Sequence, residues 1–241
     1  MKISVFFLPA LFCLTFSFSQ GVKHDSLSEV QLKNAINLYN HFSAGNAPVY
    51  NGSEYIYYTF KMEGDPYFIT GDLSKGWVSY SGRKYDSLSL MYDVARNQLV
   101  VASPQRFSRI VLGEEFVDSF NLRGHTFIKL IEDHKENLYN TGYYDMLYNG
   151  KTQLLARRIK TMDSPIKGDM VVRIFYTKDR FYIHKNGLYY LVNTKKDVYR
   201  LFKEKQHDIK KQLRKQHLKF RHKNFEQSLT KAVAYYDQLT K

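Results

Sequence analysis

Between Tyr50 and Asn193 apolar and polar positions alternate along the chain, and on either side of that stretch the repeat changes to that of a helix. Val172, Ile174 and Tyr176 flank Arg173, and Leu188, Tyr190 and Val192 fall on one side of the last such segment. A period of two places successive side chains on opposite faces of a strand. Tyr, Phe, Val, Ile and Thr dominate here, and these side chains suit a pleated surface. Asn149-Gly150 and Asn186-Gly187 are the strongest turn signals, because a two-residue hairpin needs positive φ at both central positions. Ser81-Gly82, Arg96-Asn97, Lys178-Asp179 and Gly64-Asp65-Pro66 are weaker ones. The pattern predicts about ten to thirteen antiparallel strands over residues 50–193. No helical pattern of crossover length separates them, which disfavours a parallel sheet.

Helices are predicted at both ends. Ser26-Leu27-Ser28-Glu29 reads as a capping box opening a helix over about residues 27–43, within an N-terminal helix and linker spanning 20–49. Thr194 to Asp197 can cap a second helix running to about Lys219. Its stripe of Val198, Phe202, Ile209, Leu213 and Phe220 keeps to one face at 3.6 residues per turn. Asn224-Phe225-Glu226-Gln227 resembles a further cap, followed by Phe225, Leu229, Ala232, Val233, Tyr236 and Leu239 as another stripe. Two amphipathic helices with a short link make a hairpin over residues 194–241, packed on the β domain. The predicted fold is mainly β (α+β): an antiparallel meander curled into a barrel or sandwich, with an N-terminal helix and a C-terminal helical hairpin. Curling is expected because a flat sheet of so many strands leaves long edges and an uncovered apolar face.

The first residues predict export. Met1-Lys2 is a short positive start, Ile3 to Phe18 is apolar, and Ser17-Phe18-Ser19 supplies small residues for cleavage before Gln20. A signal peptide over residues 1–19 removes Cys13, the one cysteine, and Phe12 before it does not fit a lipoprotein. The mature chain is then free of disulfides and expected in the periplasm, at the outer membrane or outside the cell. Export also separates it from nucleic acid. No later apolar run approaches the roughly 20 residues of a membrane-spanning helix.

Charge sharpens the picture. The 241 residues hold 36 Lys+Arg against 23 Asp+Glu, a net +13. Residues 195–241 alone hold 14 Lys+Arg against five Asp+Glu. On a helix, Lys196, Arg200, Lys203, Lys210, Lys211, Arg214 and Arg221 fall opposite the apolar stripe. Such a field attracts an anionic partner, an envelope component or a polysaccharide, although a solvated helix face is charged without any ligand. Trp77, beside Gly76 in a tyrosine-rich β region, is the best aromatic contact for a sugar or peptide. Lys203, Lys210, Lys211, Arg214 and Trp77 are therefore the candidate binding residues.

Catalytic chemistry leaves no signature. There is no Gly-x-Ser-x-Gly, no phosphate-binding glycine loop and no cysteine outside the signal segment. His217 and His222 are five apart and miss the same-face spacing of three or four. Glu132, Asp133 and Glu136 around His134 read as a polar hairpin tip rather than a calcium loop. Neither metal nor cofactor is expected, and no catalytic residue is assigned. The expected protein is a non-enzymatic binding or structural module; the alternative is a glycan or peptide hydrolase with carboxylates assembled across strands.

Leu90-Met91-Tyr92-Asp93, the segment Tyr143 to Gly150, and the Lys-rich helix ending in Tyr235-Tyr236-Asp237, with the signal peptide, resemble a broad set of secreted β-rich proteins of Bacteroidetes-type Gram-negative bacteria. That set has no established activity, and the resemblance implies export.

Overall fold

The computed structural model describes residues 28–42, 47–104, 108–138, 140–167, 170–221 and 224–240. The proposed signal peptide, its cleavage site, Cys13, Ser26 and His222 lie outside them. The chain divides into two units, residues 1–42 and 43–241. The first contains helix α1 (Glu29–Phe42). Its cap forms two residues later than expected: Ser28 N donates to Gln31 Oε1 (2.9 Å) and Gln31 N donates to Ser28 Oγ (3.3 Å). Glutamine three residues after serine serves the reciprocal role as well as glutamate does.

The second unit is mainly β. Its strands are β1 (Ser53–Glu54), β2 (Met62–Glu63), β3 (Ser74–Tyr80), β4 (Arg83–Asp93), β5 (Gln98–Ala102), β6 (Arg109–Val111), β7 (Val117–Leu122), β8 (His125–Leu130), β9 (Gly142–Asn149) and β10 (Gln153–Arg157). After these come β11 (Lys160–Asp163), β12 (Ile166–Lys167), β13 (Met170–Val171), β14 (Arg173–Thr177), β15 (Arg180–Lys185) and β16 (Leu188–Leu191). Eleven strands make one sheet in the order β1-β6-β5-β4-β3-β7-β8-β9-β10-β15-β16. Every neighbouring pair in it is antiparallel. β11, β14 and β2 form a small second sheet, where the two-residue contact of β14 with β2 is the one parallel pairing among the described residues. Four two-residue strands raise the count above the expected range; the remaining twelve fall inside it.

The large sheet is open, with β1 and β16 at its edges, so it is not a closed barrel. It is nevertheless strongly curled. β4 and β9 are four strand spacings apart, about 19 Å if the sheet were flat. Yet the rings of Tyr92 on β4 and Tyr143 on β9 are 5.9 Å apart, with Phe120 and Phe127 between them. The concave face of the first half therefore closes on itself around Leu90, Tyr92, Phe120, Phe127 and Tyr143. On the convex face Tyr55 covers Met91 and Val100, and Asp93 fastens that cover by accepting from the hydroxyls of Tyr55 (2.8 Å) and Tyr58 (3.0 Å).

Turn chemistry accounts for the meander. Ser81-Gly82 and Asn186-Gly187 take positive φ at both residues, as their hairpins require, and so do Arg123 and Gly124 between β7 and β8. Asn149-Gly150 does not. Its glycine answers a close approach instead, since a Cβ at Gly150 would lie 2.4 Å from Asp237 Oδ2 and 2.6 Å from the Tyr148 ring.

Helices cover the concave face of the second half. α2 (Lys195–Leu201) opens with the predicted capping box, Thr194 Oγ1 accepting from Asp197 N and the Asp197 carboxylate accepting from Thr194 N. The single helix expected to reach Lys219 is broken. A 3-10 turn over Lys203–Lys205 separates α2 from α3 (Gln206–Lys215), and α4 (Phe225–Leu239) follows. Asn224 makes no side-chain cap to α4, in contrast to the sequence expectation. Val198, Phe202, Ile209 and Leu213 are buried against Leu229, Val233 and Tyr236 of α4 and against Leu154 and Ile183 of the sheet. No helix among the described residues is long and apolar enough to cross a membrane.

Candidate functional site

The break between α2 and α3 creates the most pointed surface feature. On a straight helix Tyr199 and Lys210 would stand about 16 Å apart along the axis. Instead Lys210 Nζ lies 4.8 Å from the centre of the Tyr199 ring. Phe202 turns into the core at the break and stacks on Tyr236, with 4.2 Å between ring centres. The turn then locks against both α4 and the sheet: Tyr236 Oη of α4 donates to Glu204 Oε1 (2.7 Å), and Lys185 Nζ of β15 reaches the same oxygen (3.1 Å) while sitting over the Tyr236 ring. Its own backbone N–H, the Tyr236 hydroxyl and the Lys185 ammonium hold the Glu204 carboxyl down to about 2.

The folded-back pair encloses a groove of about 500 Å³, lined by Lys195, Tyr199, Lys210, Leu213, Arg214, Leu218, Lys219, Phe220 and Arg221. Five cations converge there, and no carboxylate stands among the described lining residues. Lys195 Nζ also approaches the Tyr199 ring, at 5.7 Å. Tyr199 and Phe220 meet edge to face, 5.8 Å between centres, and form the apolar floor. Burial pushes the Tyr199 hydroxyl up, with Arg214 drawing it back.

Of the candidate binding residues, Lys210 and Arg214 enter this groove. Lys203 is exposed on the 3-10 turn and Lys211 is exposed on α3, and neither lines it. Trp77 sits on β3, half-buried on the face opposite the buried Val78, with Lys84 Nζ 4.9 Å above its ring; it does not line the groove. Lys195, Tyr199, Lys219 and Phe220 were not singled out as binding residues, because a helical wheel of an unbroken helix cannot bring them together.

A second constellation lies where the curled half of the sheet meets the helices. Arg158, just after β10, donates from Nε to Asp145 Oδ2 (3.0 Å) and from Nη1 to Asp179 Oδ2 (2.8 Å) and Glu226 Oε2 (2.7 Å). Asp145, on the concave side of β9, is fully buried and its Oδ2 also pairs with His125 Nδ1 at 2.8 Å. Burial works against the Arg158 charge, but the three carboxylates outweigh it and push its proton affinity up. The hydrogen bond to Asp145 likewise raises His125 above its ordinary value.

No protein family, curated protein or solved structure matches this chain. The class of protein is accordingly the one its own fold defines: an open, curled antiparallel sheet whose second half is covered by broken helices.

Proposed function

We propose that this is an exported, non-enzymatic envelope protein that binds a phosphate- or sulfate-bearing partner through its C-terminal basic groove. The periplasm, the outer membrane and the exterior are the compartments in which such a partner is met. One observation carries the reading: five cations facing one concavity with no carboxylate among its described lining residues. Concave sites of like charge focus field and raise the local concentration of the opposite ion. The positive start, apolar stretch and small-residue end of residues 1–19 support export, as does the resemblance to secreted proteins. Hydrolysis of glycan or peptide is less well supported. The carboxylates that converge, Asp145 on β9, Asp179 between β14 and β15 and Glu226 on α4, all close on Arg158 as its ion-pair partners.

Binding to fluorescently labelled dextran sulfate at increasing salt tests the proposal. The native protein is expected to bind at low salt and to weaken steadily as salt screens the contact. Lys210→Glu/Arg214→Glu should lose about tenfold or more, whereas Lys203→Glu, outside the groove, should lose far less. Salt-insensitive binding, or equal affinity in the groove variant, overturns the assignment.

A further inference from the structure

Next to the basic groove lies a second one, of about 720 Å³, lined by apolar Phe181, Phe220 and Phe225 under a polar rim that includes Thr177, Asn193 and Thr194. The two grooves share Lys195 and Phe220. Their floors are one row of rings. Phe181 stands 5.5 Å from Phe225, Phe225 stands 5.7 Å from Phe220, and Phe220 stands 5.8 Å from Tyr199. All four are half-buried, and all line one or other of the grooves. The second groove also holds Asp179 and Glu226, but both are engaged by Arg158 from behind. Five cations therefore cluster at one end of a continuous apolar track, whose other end holds one further cation, Lys178, and two acids already paired with Arg158.

We infer that the ligand is a single-chain amphiphile with a phosphate head: the head sits among Lys195, Lys210, Arg214, Lys219 and Arg221, and the chain lies along the phenylalanine row. This deepens the proposed function and rests on it. The choice of an acyl or alkyl chain over a sugar follows from the floor, since phenylalanine offers no hydrogen bond to hydroxyl groups whereas it does bury methylenes. Each groove falls in the size range of small-molecule sites.

Calorimetric titration of the full-length protein with inorganic phosphate, butyl phosphate, octyl phosphate and octyl glucoside, below micelle-forming concentrations, tests this. Full burial of a methylene is worth about fourfold in affinity, so a chain lying with one side on the rings should gain about twofold per methylene. Octyl phosphate should then bind about sixteenfold tighter than butyl phosphate. Octyl glucoside should bind weakly, and Lys210→Glu/Arg214→Glu should weaken all three phosphates. Phe181→Ala, which lines the second groove and not the basic one, should reduce the chain-length gain while keeping inorganic phosphate binding. Saturation transfer from ring protons to the terminal methyl of octyl phosphate in the native protein reads the same contact without any variant. Phosphate binding with no gain from chain length, or no transfer to the methyl, overturns this inference and leaves the anionic groove standing. Octyl glucoside binding as tightly as octyl phosphate overturns the head assignment. Failure of every phosphate to bind at low salt while dextran sulfate still binds overturns this inference alone, and failure of dextran sulfate as well overturns both readings.

Discussion

Replacing Arg158 with methionine tests the packing argument most severely. The guanidinium is about 10 % exposed and the Asp145 carboxylate about 1 %, so neither can recover water if its partner is removed. Glu226 and Asp179 are more open, at 38 % and 19 %, and can rehydrate in part. The loss therefore concentrates on Asp145, which keeps only His125 and whose Oδ1 makes no hydrogen bond among the described residues. Breaking a buried pair from one side costs about 3–5 kcal/mol. For a domain of this size that lowers the melting temperature by roughly 6–20 °C. Urea unfolding of the native protein, Arg158→Met, Asp145→Leu and the double variant supplies the coupling directly. The double variant should be much more stable than the sum of the single losses implies, because a buried apolar pair replaces a buried ionic one with little net penalty. High salt should leave the single-variant loss nearly unchanged, since buried charges are poorly screened. A loss under about 1 kcal/mol for Arg158→Met, or strict additivity in the double variant, refutes the reasoning.

Three further outcomes follow from the same contacts. His125 has its folded-state proton affinity raised by Asp145, so its stabilisation is complete below its unfolded value of 6.5 and is lost as pH rises through the higher folded value. Melting curves across that window should fall for the native protein and flatten in His125→Gln; parallel curves would remove the pairing from the account. Phe202→Ala deletes a fully buried ring stacked on Tyr236 at the helix break, and should cost about 3–5 kcal/mol in chemical denaturation. Lys210→Glu/Arg214→Glu relieves like-charge crowding, and so should raise the unfolding free energy by up to about 1 kcal/mol while binding is lost. A solvated face with no ligand would give no such opposition between stability and affinity.

The sequence pattern reads well wherever a local rule decides the backbone. Ser81-Gly82 and Asn186-Gly187 turn the chain as their side chains demand, and Thr194 with Asp197 caps α2 as written. Asn149-Gly150 shows the limit: the same dipeptide answers the approach of Asp237 from α4, a contact that exists only after the helix has docked. The curl is equally non-local, because Tyr92 and Tyr143 look like ordinary inward positions on separate strands until their rings meet. The helix break was hidden for a different reason. Val198, Phe202, Ile209 and Leu213 are all buried, so the apolar stripe stays continuous across a bend that redirects every polar side chain around it. Lys210 and Arg214 were visible as part of a basic face, but a groove depends on which residues that face is folded against.

The basic groove is better understood from where the acids went than from where the lysines are. Residues 195–241 contain five carboxylates, and four of them are engaged in bonds that hold the fold. Asp197 closes the α2 cap and pairs with Arg200, Glu204 binds Tyr236 and Lys185, Glu226 binds Arg158, and Asp237 accepts from Thr152 N. Glu204, Glu226 and Asp237 tie the helical segment to the sheet and its loops, and each negative charge is matched there by a cation or a backbone N–H. Folding thus sorts the charges of this segment: acids turn to the sheet and the cap, and cations are left facing the concavity. A solvated helix face would gain by interleaving the two signs, since neighbouring opposite charges add a few tenths of a kcal/mol each. The arrangement forgoes that gain around Tyr199, and the anionic ligand proposed for the groove would supply the missing countercharge.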